Sequence, residues 1–235
     1  MAVYTKDSKL SEPIFEDPSI VPVINRFGIF LGVGDDRILD SCERKGIDPD
    51  FFLAVINTYL NPDYFPERIV ERTHLSMVID YLEKTDQYYS CIQLPNIDRH
   101  FNILLHKRGG MEQCASKESN LHLLNDFYRE VKQDLETLID NDLKYWFPLL
   151  KSNRMAALDQ ISNTDSSDMP QSLPYDNSGT EDKIRDLISF FVIHLKGEYD
   201  HNLCVAVISA INTLEKDIRQ NNRIRDRILK PLCEK

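Results

Sequence analysis

Apolar residues recur every three or four positions along most of this chain, and breaks in that rhythm divide it into elements. The longest stretch is the last, from Asn202 to Leu232. Val207, Ala210 with Ile211, Leu214, Ile218, Ile228 and Leu232 form one helical stripe. A stripe that long must be buried. Continued from Leu214 and Ile218, it passes through Asn221 and Arg225 before Ile228 resumes it. A neutral amide and a cation therefore stand where a core is expected.

Upstream, residues 1–12 carry no such pattern and are expected to be a loose tail. Asp17-Pro18-Ser19 predicts a helix start, with Ile20, Val21, Val23, Ile24 and Phe27 following and Gly28 as its stop. Gly32-Val33-Gly34 predicts a turn. Asp35 or Asp36 is then placed to cap a second helix, with Ile38, Leu39 and Cys42 inward and Gly46 closing it. Asp48-Pro49-Asp50 opens a third, carrying Phe52, Leu53, Val55, Ile56 and Leu60, and Asn61-Pro62-Asp63 ends it. These make a small unit over residues 1–65 that needs support from a partner or from the rest of the chain.

From Pro66 the helices lengthen. The first long one carries Leu75, Val78, Ile79, Leu82, Asp86, Tyr89 and Ile92, with Pro95 predicting a kink or restart before Ile97, Phe101 and Leu104. Gly109-Gly110 breaks it. The second, from about Ser116 to Leu150, carries Leu121, Leu124, Val131, Leu135, Leu138, Asp142, Trp146 and Leu149. Residues 153–180, rich in Ser, Asn, Asp, Thr and Pro, read as a long mobile loop. The third carries Glu181, Ile184, Ile188, Phe191 and Leu195, and Gly197 separates it from the fourth. No β pattern of consequence appears. The expected fold is all-α: a three-helix N-terminal domain over residues 1–65, then an antiparallel four-helix bundle over residues 66–235.

Composition narrows the functions. With 28% charged and 42% apolar residues, the 235-residue chain can bury a core, and no apolar run reaches membrane-spanning length. The N-terminal residues lack the apolar core of a signal peptide, so a cytoplasmic location is expected. Cys42, Cys91, Cys114, Cys204 and Cys233 are scattered and form no CxxC, which argues against a disulfide framework or a structural zinc site. A formal charge of −10 disfavours nucleic acid. The basic run Arg219, Arg223, Arg225, Arg227 and Lys230 reads as cations near a helix C-terminus. No phosphate-binding loop, nucleophile elbow, zinc motif or dinucleotide fingerprint is present, so a conventional enzyme is not expected.

Each long stripe carries a polar residue: Asp86, Asp142, Glu181, and Asn221 with Arg225. Bundle interiors that bind two metals use His and carboxylates from facing helices in this way. Here no histidine lies on the stripes at those positions, and Leu138 stands one turn before Asp142. His74, His100, His106, His122, His194 and His201 form no HxxxH or HxxxE pair. His122 and Asp126, four apart, read as a surface pair. An arginine is a fixed cation that repels a metal dication. Arg225 is therefore expected to replace the metal charge by pairing with Asp86, Asp142 or Glu181. A one-residue error in register would instead put these charges in solvent.

A family resemblance enters here. Arg26-Phe27-Gly28-Ile29, Leu31-Gly32-Val33-Gly34-Asp35, then Cys42, Gly46, Asp48 and Phe52 resemble the small N-terminal domain of the repair-of-iron-centres (RIC, ScdA/YtfE-type) proteins. Phe30-Leu31 stands where other members have two adjacent cysteines, so thiol chemistry there is not expected. The remainder resembles the hemerythrin-like (HHE) domain. The stretch Leu82-Glu83-Lys84-Thr85-Asp86 with Leu94-Pro95 resembles a pattern with His at Asp86. Asp142 with Phe147-Pro148 resembles a segment with His at Leu138 and Glu at Asp142. Glu181 falls where the third helix offers His. Asp217 to Leu232 resembles the closing segment, with Asn221 at a His and Arg225 at a Glu.

The resemblance covers residues 18–232 and implies a non-haem di-iron protein that helps repair damaged iron–sulfur clusters. The departures at Asp86, Leu138, Asp142, Glu181, Asn221 and Arg225 imply a metal-free regulatory or scaffold relative, acting as a homodimer or with a protein partner. The alternative is a di-iron protein with a re-sited ligand set of Asp86, Asp142, Glu181 and His106.

Overall fold

The computed structural model describes residues 3–67, 73–106, 120–152 and 178–233. Every regular element among them is helical, and the bridge between Lys9 and Arg37 is isolated. No helix among the described residues is long and apolar enough to cross a membrane. The helices are α1 (Ser11–Glu16), α2 (Val21–Arg26), α3 (Ile38–Lys45), α4 (Pro49–Leu60), α5 (Leu75–Tyr88), α6 (Leu94–His106), α7 (Leu121–Asn141), α8 (Phe147–Lys151), α9 (Ser178–His194), α10 (His201–Ile224) and α11 (Lys230–Cys233). Three five-residue π turns, Tyr89–Gln93, Asp142–Trp146 and Arg225–Leu229, join α5 to α6, α7 to α8 and α10 to α11. The chain forms two compact units.

The first unit comprises Met1–Thr85, Asp142–Tyr175 and Arg219–Lys235. Its centre is α4. Asp48 accepts hydrogen bonds from the backbone N–H groups of Asp50 and Phe51, and Pro49 follows in the first turn. Both features start helices. Phe51 through Leu60 are all buried, so α4 is enclosed on every side rather than along one face. Around it lie Ile20, Val23, Ile24, Ile38 and Cys42, and the same core takes in Val78, Ile79, Leu82, Trp146, Phe147, Leu150, Ile224, Ile228 and Leu229. That core runs across position 65/66.

Several expectations are corrected here. Residues 3–12 are not a loose tail. Leu10 is buried, and Asn57 of α4 clamps Tyr4 by accepting from its N–H at 2.8 Å and donating to its carbonyl at 3.0 Å. α1 follows before Asp17, which caps a single 3₁₀ turn, Pro18–Ile20, ahead of α2. Neither Asp35 nor Asp36 caps α3. Arg37 holds the cap position, while Asp35 pairs with Lys9 and Asp36 with Arg44. Gly46 does close α3, in the left-handed region at φ 65° where a side chain would be strained.

The second unit comprises Asp86–Asn141 and Asp176–Ile218. α9 packs along α7, and α6 also touches α7. Phe101 stacks on Tyr128 with ring centroids 4.8 Å apart, and Phe191 lies 5.8 Å from Phe101. Leu94, Tyr128, Val131, Leu135, Ile184, Leu187, Ile211 and Leu214 line a cavity of about 10 Å³, so four helices reach one point. Two stripes differ from expectation. On α7, Ile139 is buried and Leu138 only half-buried. On α9 the inward residues are Thr180, Ile184, Leu187 and Phe191, leaving Glu181 and Ile188, with Leu195 just past its end, half-buried. The expected loop at 153–180 lies outside the described residues except for 178–180, which are the start of α9. The Gly109-Gly110 break also lies outside them.

Candidate functional site: a buried ion pair between two π turns

Asp142 and Arg225 are each the first residue of a π turn, and both belong to the first unit. The Arg225 Nη1 atom lies 2.6 Å from Asp142 Oδ2, with side-chain exposures of 2% and 7%. At that depth the pair is screened little by salt, and the contact is a short charge-assisted hydrogen bond. The guanidinium carbon of Arg225 also lies 5.7 Å from the centre of the Phe147 ring, which offers its face to the cation. Burial pushes the Asp142 carboxyl above the usual carboxylate range, and the Arg225 guanidinium pulls against that shift.

Asn221 lies one helical turn before Arg225, is 3% exposed, and its side-chain oxygen has no hydrogen-bond partner. Asn221 and Arg225 are thus both turned inward, as their register predicts, and Arg225 pairs with Asp142. Asp86, also buried, and the half-buried Glu181 and Leu138 lie in the second unit. Glu181 pairs with Arg185 on its own helix at 2.8 Å. The His106 side chain lies outside the described residues. Among the described residues no three His, Cys, Asp or Glu side chains come together as a metal-ligating group.

Leu138 has no donor atom, Asn221 offers a neutral amide, and Arg225 brings a permanent positive charge against Asp142, the carboxylate that a metal would need. The chain matches no protein-family model, no curated protein and no solved structure.

Other polar features escape periodicity. Arg227 donates to the backbone carbonyls of Tyr64 at 2.7 Å and Pro62 at 2.6 Å, with its guanidinium 4.1 Å from the Phe65 ring centre. Arg223 donates to the Thr58 carbonyl at 3.4 Å, in the last turn of α4. Arg223 and Arg227 of the basic run thus reach the C-terminal end of α4 and the segment that follows it. In the second unit Tyr128 donates to Asp98 at 3.0 Å, and Lys132 pairs with the same carboxylate at 2.7 Å. Burial, and then Asp98, raises the Tyr128 hydroxyl pKa, so that group is a hydrogen-bond donor and not a base. Cys42 is pushed up to about 12 by burial and is no nucleophile. No signal in the sequence pairs these residues, because they are 30 to 165 positions apart in the chain or depend on a backbone carbonyl.

Proposed function

We propose that this protein is a hemerythrin-like helical protein related to the repair-of-iron-centres proteins, working without a metal as a regulatory or scaffold member. The observation that carries this reading is the Arg225–Asp142 pair, 2.6 Å apart and buried. On the resemblance, these two positions hold carboxylate ligands to iron. A cation that cannot lose its proton takes the place of metal charge there, and the carboxylate across from it is already neutralised. The accompanying fold reading is a three-helix N-terminal domain and an antiparallel four-helix bundle. Four helices meeting at one small cavity in the second unit support the bundle.

Without a metal, the remaining role is interaction, with a second copy of the chain or another protein. The deciding measurement is elemental analysis of full-length protein after anaerobic reconstitution with ferrous iron. The expected result is far below one iron per chain. About two irons per chain, the load of a di-iron bundle, would overturn the reading and restore iron-centre repair.

A further inference from the structure

The three π turns share one sequence feature. Each ends two residues before a proline: Gln93 before Pro95, Trp146 before Pro148, and Leu229 before Pro231. Each begins on a buried polar residue six positions before that proline: Tyr89, Asp142 and Arg225. The widened pairing is explicit in two of them. The Leu94 N–H donates to the Tyr89 carbonyl and the Lys230 N–H to the Arg225 carbonyl, five residues back instead of four.

A proline within an α-helix lacks its own N–H, and its ring collides with the carbonyl four residues earlier. Those carbonyls belong to Cys91, Lys144 and Arg227, and each lies within a π turn. Inserting one extra residue per turn moves the carbonyl aside and lets the helix continue without a break. The insertion also rotates everything downstream by about 100° relative to a regular helix. That rotation is visible in what becomes buried. Ile92, on the regular stripe, is 56% exposed, while Gln93 and Leu94 are buried. Leu149 yields to Leu150, and Leu229 is buried alongside Ile228.

We infer that Pro95, Pro148 and Pro231 each fix the π turn before it, and that Pro148 and Pro231 are thereby the positioning residues for the Asp142–Arg225 pair. The ion pair is not the common cause of the turns, because the first begins on Tyr89, whose side chain is neutral. Proline is what all three share. Asp142 and Arg225 lie at the first positions of two such turns, so their reach to each other depends on both.

The test uses the full chain and three single variants, Pro95→Ala, Pro148→Ala and Pro231→Ala. Nuclear magnetic resonance couplings across hydrogen bonds identify which carbonyl each amide pairs with. In the parent, Lys230 N couples to the Arg225 carbonyl and Leu94 N to that of Tyr89. In Pro231→Ala the Lys230 coupling should move to Asp226, in Pro95→Ala the Leu94 coupling to Ser90, and in Pro148→Ala the Phe147 coupling to Leu143. Retention of five-residue pairing in any variant overturns the assignment. A double-mutant cycle of Asp142→Asn with Arg225→Gln, run in the Pro148→Ala and Pro231→Ala backgrounds, should show the coupling between the two side chains lost. An unchanged coupling removes the positioning role. Pro95→Ala contains an intact pair, so it tests the turn rule even if the other variants fail to fold.

Discussion

Arg225 keeps its charge at any pH at which the protein folds, so its burial is tolerable only against an anion. Asp142 provides that anion at 2.6 Å. Removing one ion and leaving the other stranded is the costly change. Arg225→Leu should therefore destabilise by about 3–5 kcal/mol in urea unfolding. The double variant Arg225→Leu/Asp142→Leu should recover most of that loss, since replacing a buried pair by apolar side chains is often neutral. A shift within about 0.5 kcal/mol for Arg225→Leu, as at a surface position, would show that the pair bears no weight in the fold.

Among the elements, α4 and the π turns set the geometry. α4 is surrounded, so whatever starts it in the right place organises the first unit. Its start rests on the Asp48 carboxylate, which accepts from two backbone N–H groups that would otherwise be unpaired. Asp48→Ala should cost about 1 kcal/mol in a urea titration, and Asp48→Asn much less, because asparagine caps equally well. An Ala variant as stable as the parent would place the start of α4 under tertiary control instead. Periodicity found the long helices and most of their stripes, including Ile97, Phe101 and Leu104 after Pro95, but misjudged Ile92 and Leu149 beside two of the π turns. Counting in steps of three and four assumes a constant turn, and one inserted residue breaks that assumption. This is why Ile92 and Leu149 were expected inside and Leu94 and Leu150 are buried in their stead.

At the scale of the molecule, the question is whether any metal stabilises the folded chain. A ligand present at one hundred times its Kd adds about 2.7 kcal/mol to folding. For a chain of this size that is a rise of about 5–10 °C in Tm. On the metal-free reading, ferrous iron added under anaerobic conditions should move Tm by less than about 1 °C. A rise of several degrees would count directly against the substitution of Arg225 for metal charge.

The sequence by itself determined the all-helical class, the start of α4 at Asp48, the closing glycine of α3, and the inward placement of Asp86, Asp142, Asn221 and Arg225. These follow from local rules: spacing along a helix, capping side chains and left-handed glycines act within a few residues. Tertiary structure alone decided the rest. It brought Arg225 against Asp142 and tied the unpatterned residues 3–10 to α4 through Asn57. It also turned Arg223 and Arg227 toward the backbone at the end of α4. Such contacts join residues far apart in the chain, often through a backbone carbonyl that every residue carries. No side-chain pattern can announce them.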